Sequence, residues 1–398
     1  ESWVELSAGM PTIAVRDLEI QRRENDLVIA TFGRGIRILD DYRALRTPAA
    51  DVVANEATLF PIRDPWLYVE DDVWGFGPKG FQGETYYVAD NPPFGAVFTY
   101  YLRDGYKSLR DERREAERER LKSGVDNPYP SWDELRRERR EDGPAVVFEI
   151  SDSEGKVIRR ISGPHAKGLH RVAWDLRHPA PDPVNLNPPG FRAPWDSDPQ
   201  GVLVAPGTYR VQLFKRVRGE LEALNEPLAF EVKRLDRGQF RPDSFDAHEQ
   251  AMLAASDLTR AVLGAARALG ELDSRAAHLN VALRDTPEST EPQRQRLMAI
   301  ETRLDDIGML LNGDSIRAGA SEPRPMALSR RVSLFSMAHW NALAAITGNQ
   351  QRSLDIARDQ FDEVQSEMAQ AAEDLAALER ELRGIAPWTP GRIPELRE

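Results

Sequence analysis

The chain has 398 residues, 41% hydrophobic and 30% charged, with a formal net charge of −12 and no cysteine. That length accommodates two or three domains with cores of their own. The acidity excludes a general nucleic-acid binder, which needs a basic face to displace counterions. The missing cysteines exclude disulfides, thiolate metal sites and cysteine nucleophiles. No apolar run approaches the ~18–20 residues of a membrane span. Glu1-Ser2-Trp3 carries neither the basic nor the apolar region of a signal peptide, so an export signal, if used, is expected upstream.

Residues 1–45 read as a partial β-propeller blade. Val15–Ile20, Asp26–Thr31 and Gly35–Leu39 are short β-forming runs, separated by Glu24-Asn25-Asp26 and Gly33-Arg34-Gly35, which have turn chemistry. A lone meander this short buries little, so one blade resting on a neighbouring blade is the economical reading. The Gly33-Arg34-Gly35 turn precedes a strand and not a helix, so it reads as a hairpin and not as a phosphate cradle.

Residues 46–95 read as an irregular linker packed on the propeller. Leu59–Trp66 and Glu84–Leu102 carry extended segments, and Asn91-Pro92-Pro93-Phe94-Gly95 forces a bend before a strand at Ala96. Between them, Glu70-Asp71-Asp72 lacks the alternating ligand spacing of a calcium loop and reads as a solvated turn. The aromatics Trp66, Trp74, Phe76 and Tyr86 are candidates to stack on a sugar or to pack this loop onto its neighbour.

Residues 96–238 read as an Ig/fibronectin-like β-sandwich interrupted by a charged helical insertion at 106–143. Within the insertion, Glu/Arg pairs three and four apart suit an exposed helix, and Ser131 with Glu134 forms a capping box at the start of a second one. Tyr129, Trp132 and Leu135 are expected to pin this hairpin to the body, and Trp132 is also a candidate partner contact. Short alternating runs follow at Val146–Ile150, Val157–Ile161, Gly168–Leu176, Tyr209–Phe214 and Leu228–Val232, with Trp174 as the buried tryptophan and Pro206-Gly207 as a type II turn. The Pro179–Pro206 loop holds eight prolines and Trp195, another candidate contact. A loop of that length is either ordered against another surface or disordered.

Residues 243–386 read as an antiparallel helical bundle, and 387–398 as an extended tail in which Trp388 folds back. Three runs step by threes and fours: Met252 to Leu283, Leu297 to Leu311, and Leu354 to Leu382. A shorter helix near Val332–Ile346 is expected to complete a four-helix bundle.

Several of these segments resemble one family. MPTIAVRDLEIQRRENDLVIATFGRGIRILDD is similar to the last blade of secreted sortilin-type or BNR-repeat β-propeller proteins, often labelled glycosyl hydrolases. Phe32 stands where that pattern has histidine, and Arg37 where tryptophan is common. The likeness continues through NPPFGAVFTYYL, YPSWDELR, GLHRVAWDLR, APGTYRV and APWTPGR. Asp152, Gly155, Trp174-Asp175 and Pro206-Gly207-Thr208-Tyr209 also resemble the Ig-like module of the flagellar hook-cap protein. The resemblance implies a secreted or periplasmic protein whose other propeller blades lie upstream or on a second chain. It further implies two alternatives in which a glycan is bound: an accessory portion of a glycoside hydrolase with its carboxylates on those blades, or a carbohydrate-binding module.

The residues themselves offer no catalytic set. Glycoside hydrolysis needs two carboxylates across a cleft, whereas Glu84, Asp90 and Asp175 are scattered among strands. Of the six histidines, His165, His170 and His178 have spacings that fit no zinc site, and His248 and His278 sit within the first bundle helix. The sequence therefore points to no cofactor and no metal. It favours a non-catalytic interaction portion that buttresses a propeller or mediates assembly, homo-oligomerisation included.

Overall fold

In the computed structural model, residues 9–70, 89, 91–186, 190–191, 198–235, 241–340 and 342–390 are described. The protein is mixed α and β, and it divides into two compact units. One comprises Glu1–Arg177 with Pro206–Asp236, the other His178–Ala205 with Arg237–Glu398.

The first unit opens with an antiparallel meander of β1 (Val15–Gln21), β2 (Asp26–Thr31) and β3 (Ile36–Leu39). Asn25 (φ 61°) and Gly33 and Gly35 (φ 81° and 71°) supply the left-handed backbone its two tight connections need. Helix α1 (Ala49–Ala54) and strands β4 (Ala57–Leu59), β5 (Trp66–Leu67) and β6 (Ala96–Leu102) follow, then helices α2 (Leu109–Lys122) and α3 (Trp132–Arg140). Strands β7 (Ala145–Ser151), β8 (Val157–Gly163), β9 (Gly168–Trp174), β10 (Gly207–Val217), β11 (Glu220–Ala223) and β12 (Leu228–Arg234) complete the unit.

These strands form two further sheets. One has the order β5-β12-β10-β7-β8, with β11 hairpinned onto β10, and the other is β4-β6-β9. Pairing is antiparallel throughout, except that β5 runs parallel to β12. The two sheets meet through aromatic rings. Phe98 and Tyr100 of β6 pack on Phe148 of β7, with centroids 5.4 and 5.1 Å apart. Trp174 of β9 meets Tyr209 of β10 and Phe230 of β12 edge-on. Tyr209, Val211 and Leu213 are all buried, so β10 turns every second side chain inward. The Trp174 indole N–H donates to the Arg177 carbonyl at 2.9 Å, which satisfies the one polar atom of a fully buried ring.

Two turns behave differently from each other. At the β7–β8 hairpin, Gly155 takes φ 87° and the Asp152 carboxylate accepts the N–H groups of Glu154 and Lys156. At Pro206-Gly207 the expected type II turn is absent, because Gly207 is extended (φ 159°) and simply begins β10.

The charged insertion is a helical hairpin. Ser108 and Ser131 cap its helices with full capping boxes, through Asp111 and Glu134. Arg113 grips the Glu138 carboxylate with two nitrogens (2.5 and 2.9 Å) and also bonds Glu117, so one guanidinium fastens α2 to α3. Arg218 ties α2 to the β10–β11 turn through Glu112. Tyr129 and Trp132 do not pin the hairpin to the body. Both are exposed, at 76% and 68%, and they pack on each other instead. Anchoring is ionic and sits at the other end of the hairpin.

The second unit holds α4 (Phe245–Asp285), α5 (Glu291–Asn312), α6 (Ser315–Gly319), α7 (Leu328–Trp340) and α8 (Gly348–Glu381). Ser244 caps α4 and Thr347 caps α8 with a capping box through Gln350. The core is the stepped seam read from the sequence, Met252 through Leu283, Leu297 through Leu311 and Leu354 through Leu382, joined by Leu328, Val332 and Phe335 of α7. Ladders of side-chain pairs fix the directions. Arg296 bonds Glu381 and Arg303 bonds Asp374, so α5 and α8 are antiparallel. Asn280 meets Glu301 on α5, whereas Thr259, nearer the start of α4, meets Ser336 on α7.

Helices α5 and α7 therefore follow one another along α4 and α8, and the cross-section has three positions, not four. Lengths explain this. At ~1.5 Å per residue the 41-residue α4 and 34-residue α8 are matched only by α5 (22 residues) and α7 (13 residues) placed end to end.

The described part of the proline-rich segment belongs with this bundle. Val202 enters the bundle core, the His178 N–H donates to the Val202 carbonyl, and the Glu249 carboxylate of α4 takes both His178 Nε2 (2.6 Å) and the Ala205 N–H (2.9 Å). Only the end of the loop, residues 201–205, is buried in this way, whereas Val184, Leu186 and Phe191 are more than 90% exposed.

One pair on the bundle surface is unfavourable. Asp273 of α4 has its carboxyl raised above the ordinary value of 3.8, first by burial and then by the charge of Asp305 on α5. The folded chain thus holds this proton to higher pH than the unfolded chain, and stability declines as pH rises through that window. Asp273→Asn is expected to raise the thermal midpoint slightly at neutral pH, with the gain vanishing below about pH 4. Thermal scans of both proteins at neutral and acidic pH check this.

Candidate functional site

The meander β1–β3 leaves half of its apolar side chains exposed. Register places Leu18, Ile29 and Arg37 side by side on one face, with Ile20, Leu27 and Leu39 beside them. The opposite face carries Glu19, Val28 and Ile38, then Ala30 and Ile36. Leu18, Ile20, Ile36 and Ile38 are 43–67% exposed, and Ile29 alone of the three strands is buried. Among the described residues both β1 and β3 are edges. A sheet of three strands with two half-naked faces does not support itself by burial.

It is held instead by arginines at one end. Arg171 of β9 donates to the carbonyls of Asp40 (2.7 Å) and Asp41 (3.1 Å) just after β3. Arg43 forks onto the Asp41 carboxylate (2.6 and 2.7 Å) and reaches the Ile62 carbonyl. The Asp41 N–H returns to the Asp26 carboxylate at 2.9 Å, and Arg63 lies 3.4 Å from Glu24 and 3.9 Å from Asp26. Burial is the largest single influence on Asp41 and opposes its ionisation, but the hydrogen bonds and charge of Arg43 and the charge of Arg63 together outweigh it and hold the carboxyl below the usual range. Asp40 moves the other way, raised by burial and the charge of Asp26. The paired aspartates that end the blade-like sequence thus work as a clasp for the turn.

Beside this clasp lies a hollow of about 580 Å³. Its walls come from the β1–β2 turn (Arg23, Glu24, Asp26), from Arg63 to Glu70 around β5, and from Asn91–Gly95 ahead of β6. Trp66 and Tyr68 present partly exposed rings to it, and Phe94 stands edge-on to Tyr68 at 5.0 Å.

Of the sequence candidates, Trp66 lines this hollow and Trp132 lies at the hairpin tip with Tyr129, Leu121 and Val125, all exposed. The structure does not bring those two together in one pocket. Trp74, Phe76, Tyr86 and Trp195 lie outside the described residues, as do the carboxylates Glu84 and Asp90. Asp175 accepts from Arg159 and from the Arg177 N–H, a structural role. Among the described residues no group of three or more metal-ligating side chains converges, and no helix is long and apolar enough to cross a membrane. Compared with protein-family models, curated proteins and solved structures, the chain matches none. The clasping arginines Arg43, Arg63 and Arg171 escape sequence reasoning, since nothing in their local context separates them from the other arginines.

Proposed function

We propose that this chain is a non-catalytic structural and protein-interaction portion of an exported β-propeller protein. In this reading β1–β3 is a propeller blade, and the two facing sheets are an Ig/fibronectin-like sandwich that braces it. The observation that carries the proposal is the uncovered apolar surface of the meander, together with the blade-like sequence that forms it. Isolated apolar side chains on a surface are ordinary, but a sheet with five of its ten apolar side chains exposed and only Ile29 buried calls for a covering sheet. A neighbouring blade covers such a face in propellers.

The test is a charge placed on one face. Ile36→Lys with Ile38→Lys is expected to leave the thermal transitions of the chain unchanged, because neither side chain is buried. It should abolish co-purification with propeller-repeat polypeptide. Undiminished co-purification would remove the docking face from the account.

A further inference from the structure

The hollow beside Trp66 has a chemistry that selects a ligand. Three carboxylates, Glu24, Asp26 and Glu70, share it with two guanidinium groups, Arg23 and Arg63. Arg23 bonds Glu24 at 2.8 Å, and Arg63 pairs with Glu24 and Asp26. The carboxylates outnumber the guanidinium groups by one, which disfavours an anion, and both guanidinium groups are already paired beside the carboxylates, which weakens the pull on a cation. What remains available is hydrogen-bonding capacity on planar groups already held in place by one another. Carboxylates and guanidinium groups each present two atoms side by side, a spacing that matches vicinal hydroxyls. The apolar wall is aromatic, and flat rings accept the C–H face of a pyranose. Burial, with the Glu70 charge, pushes the Tyr68 phenol upward, so it remains a neutral O–H donor at physiological pH. A volume of about 580 Å³ lies in the range of ordinary small-molecule sites.

We propose that this hollow binds a neutral saccharide, with one ring stacked on Trp66 and its hydroxyls taken by Asp26, Glu24 and Arg63. The site stands on its own observations, and it survives or fails independently of blade docking.

Saturation-transfer NMR on the intact chain tests this with cellobiose, maltose and N,N′-diacetylchitobiose as probes. At least one of the three is expected to receive saturation. Trp66→Ala should weaken its binding by about tenfold, the loss of one stacking contact, while Trp132→Ala leaves it unchanged. If Trp66→Ala does not fold, Trp66→Phe serves in its place and should weaken binding measurably. The proposal is overturned if no probe receives saturation, or if binding is indifferent to the Trp66 variant that folds. Tighter binding of glucuronate than of glucose would overturn it as well, since the hollow would then be an anion site.

Discussion

Replacing Trp174 with alanine is expected to cost about 3–5 kcal/mol, enough to unfold the two-sheet body at physiological temperature. The ring is fully buried between the sheets and touches Tyr209 and Phe230, so its removal opens a void that rigid neighbours cannot close. It also leaves the Arg177 carbonyl without its indole donor. The bundle core contains none of these residues. Equilibrium denaturation followed by near-ultraviolet circular dichroism should therefore show the sheet transition lost, while the helical signal stays. A loss below about 1 kcal/mol would mean that Trp174 is not the centre of this core.

The second large effect is expected at Gly95. Here the chain turns out of Asn91-Pro92-Pro93-Phe94 into β6, with φ 96°, and a Cβ on Gly95 would stand 1.9 Å from the Trp174 carbonyl oxygen. The atoms in its way, the Trp174 carbonyl and the Asp175 Cα, are all backbone, so no side chain can swing aside. Gly95→Ala must shift β6 against β9, where Ala96 is paired with Trp174. About 3 kcal/mol is expected, combining left-handed strain with the steric shift. Gly155→Ala is the control. Its backbone is also left-handed (φ 87°) but nothing lies within 4 Å of the added methyl, so it should report the conformational strain alone. Equal losses in the two variants would show that the close approach to Trp174 does not matter.

Periodicity made much of this fold legible. The strands at Val15, Asp26, Val157 and Leu228 and the three long helical seams begin and end within a few residues of where hydrophobic stepping and turn chemistry put them. The cap at Ser131 was equally readable. The misses share one cause, since each depends on what a segment meets in space. Helix period identifies α7 as a helix but not that it continues the line of α5. Proline content marks the 179–206 loop as special, but not that Val202 enters the bundle core. An aromatic pair at Tyr129 and Trp132 looks like an anchor in sequence, although ion pairs fasten the hairpin elsewhere. The hollow at Trp66 was half legible. Its aromatic residue drew notice, but the carboxylates and arginines facing it come from two stretches about forty residues apart in the chain.

Two exposed apolar faces and two open edges, clasped at one end by Arg63 and Arg171, describe a sheet placed for a neighbour. The direct measurement is photo-crosslinking in cells that make the protein, with p-benzoylphenylalanine in place of Ile38, and in place of Leu221 on β11 as the control. Predicted is an adduct from Ile38, absent from Leu221, whose far-side peptides come from β-propeller repeats, on the same polypeptide or on another. No adduct from Ile38, or one to any other kind of sequence, would contradict the account.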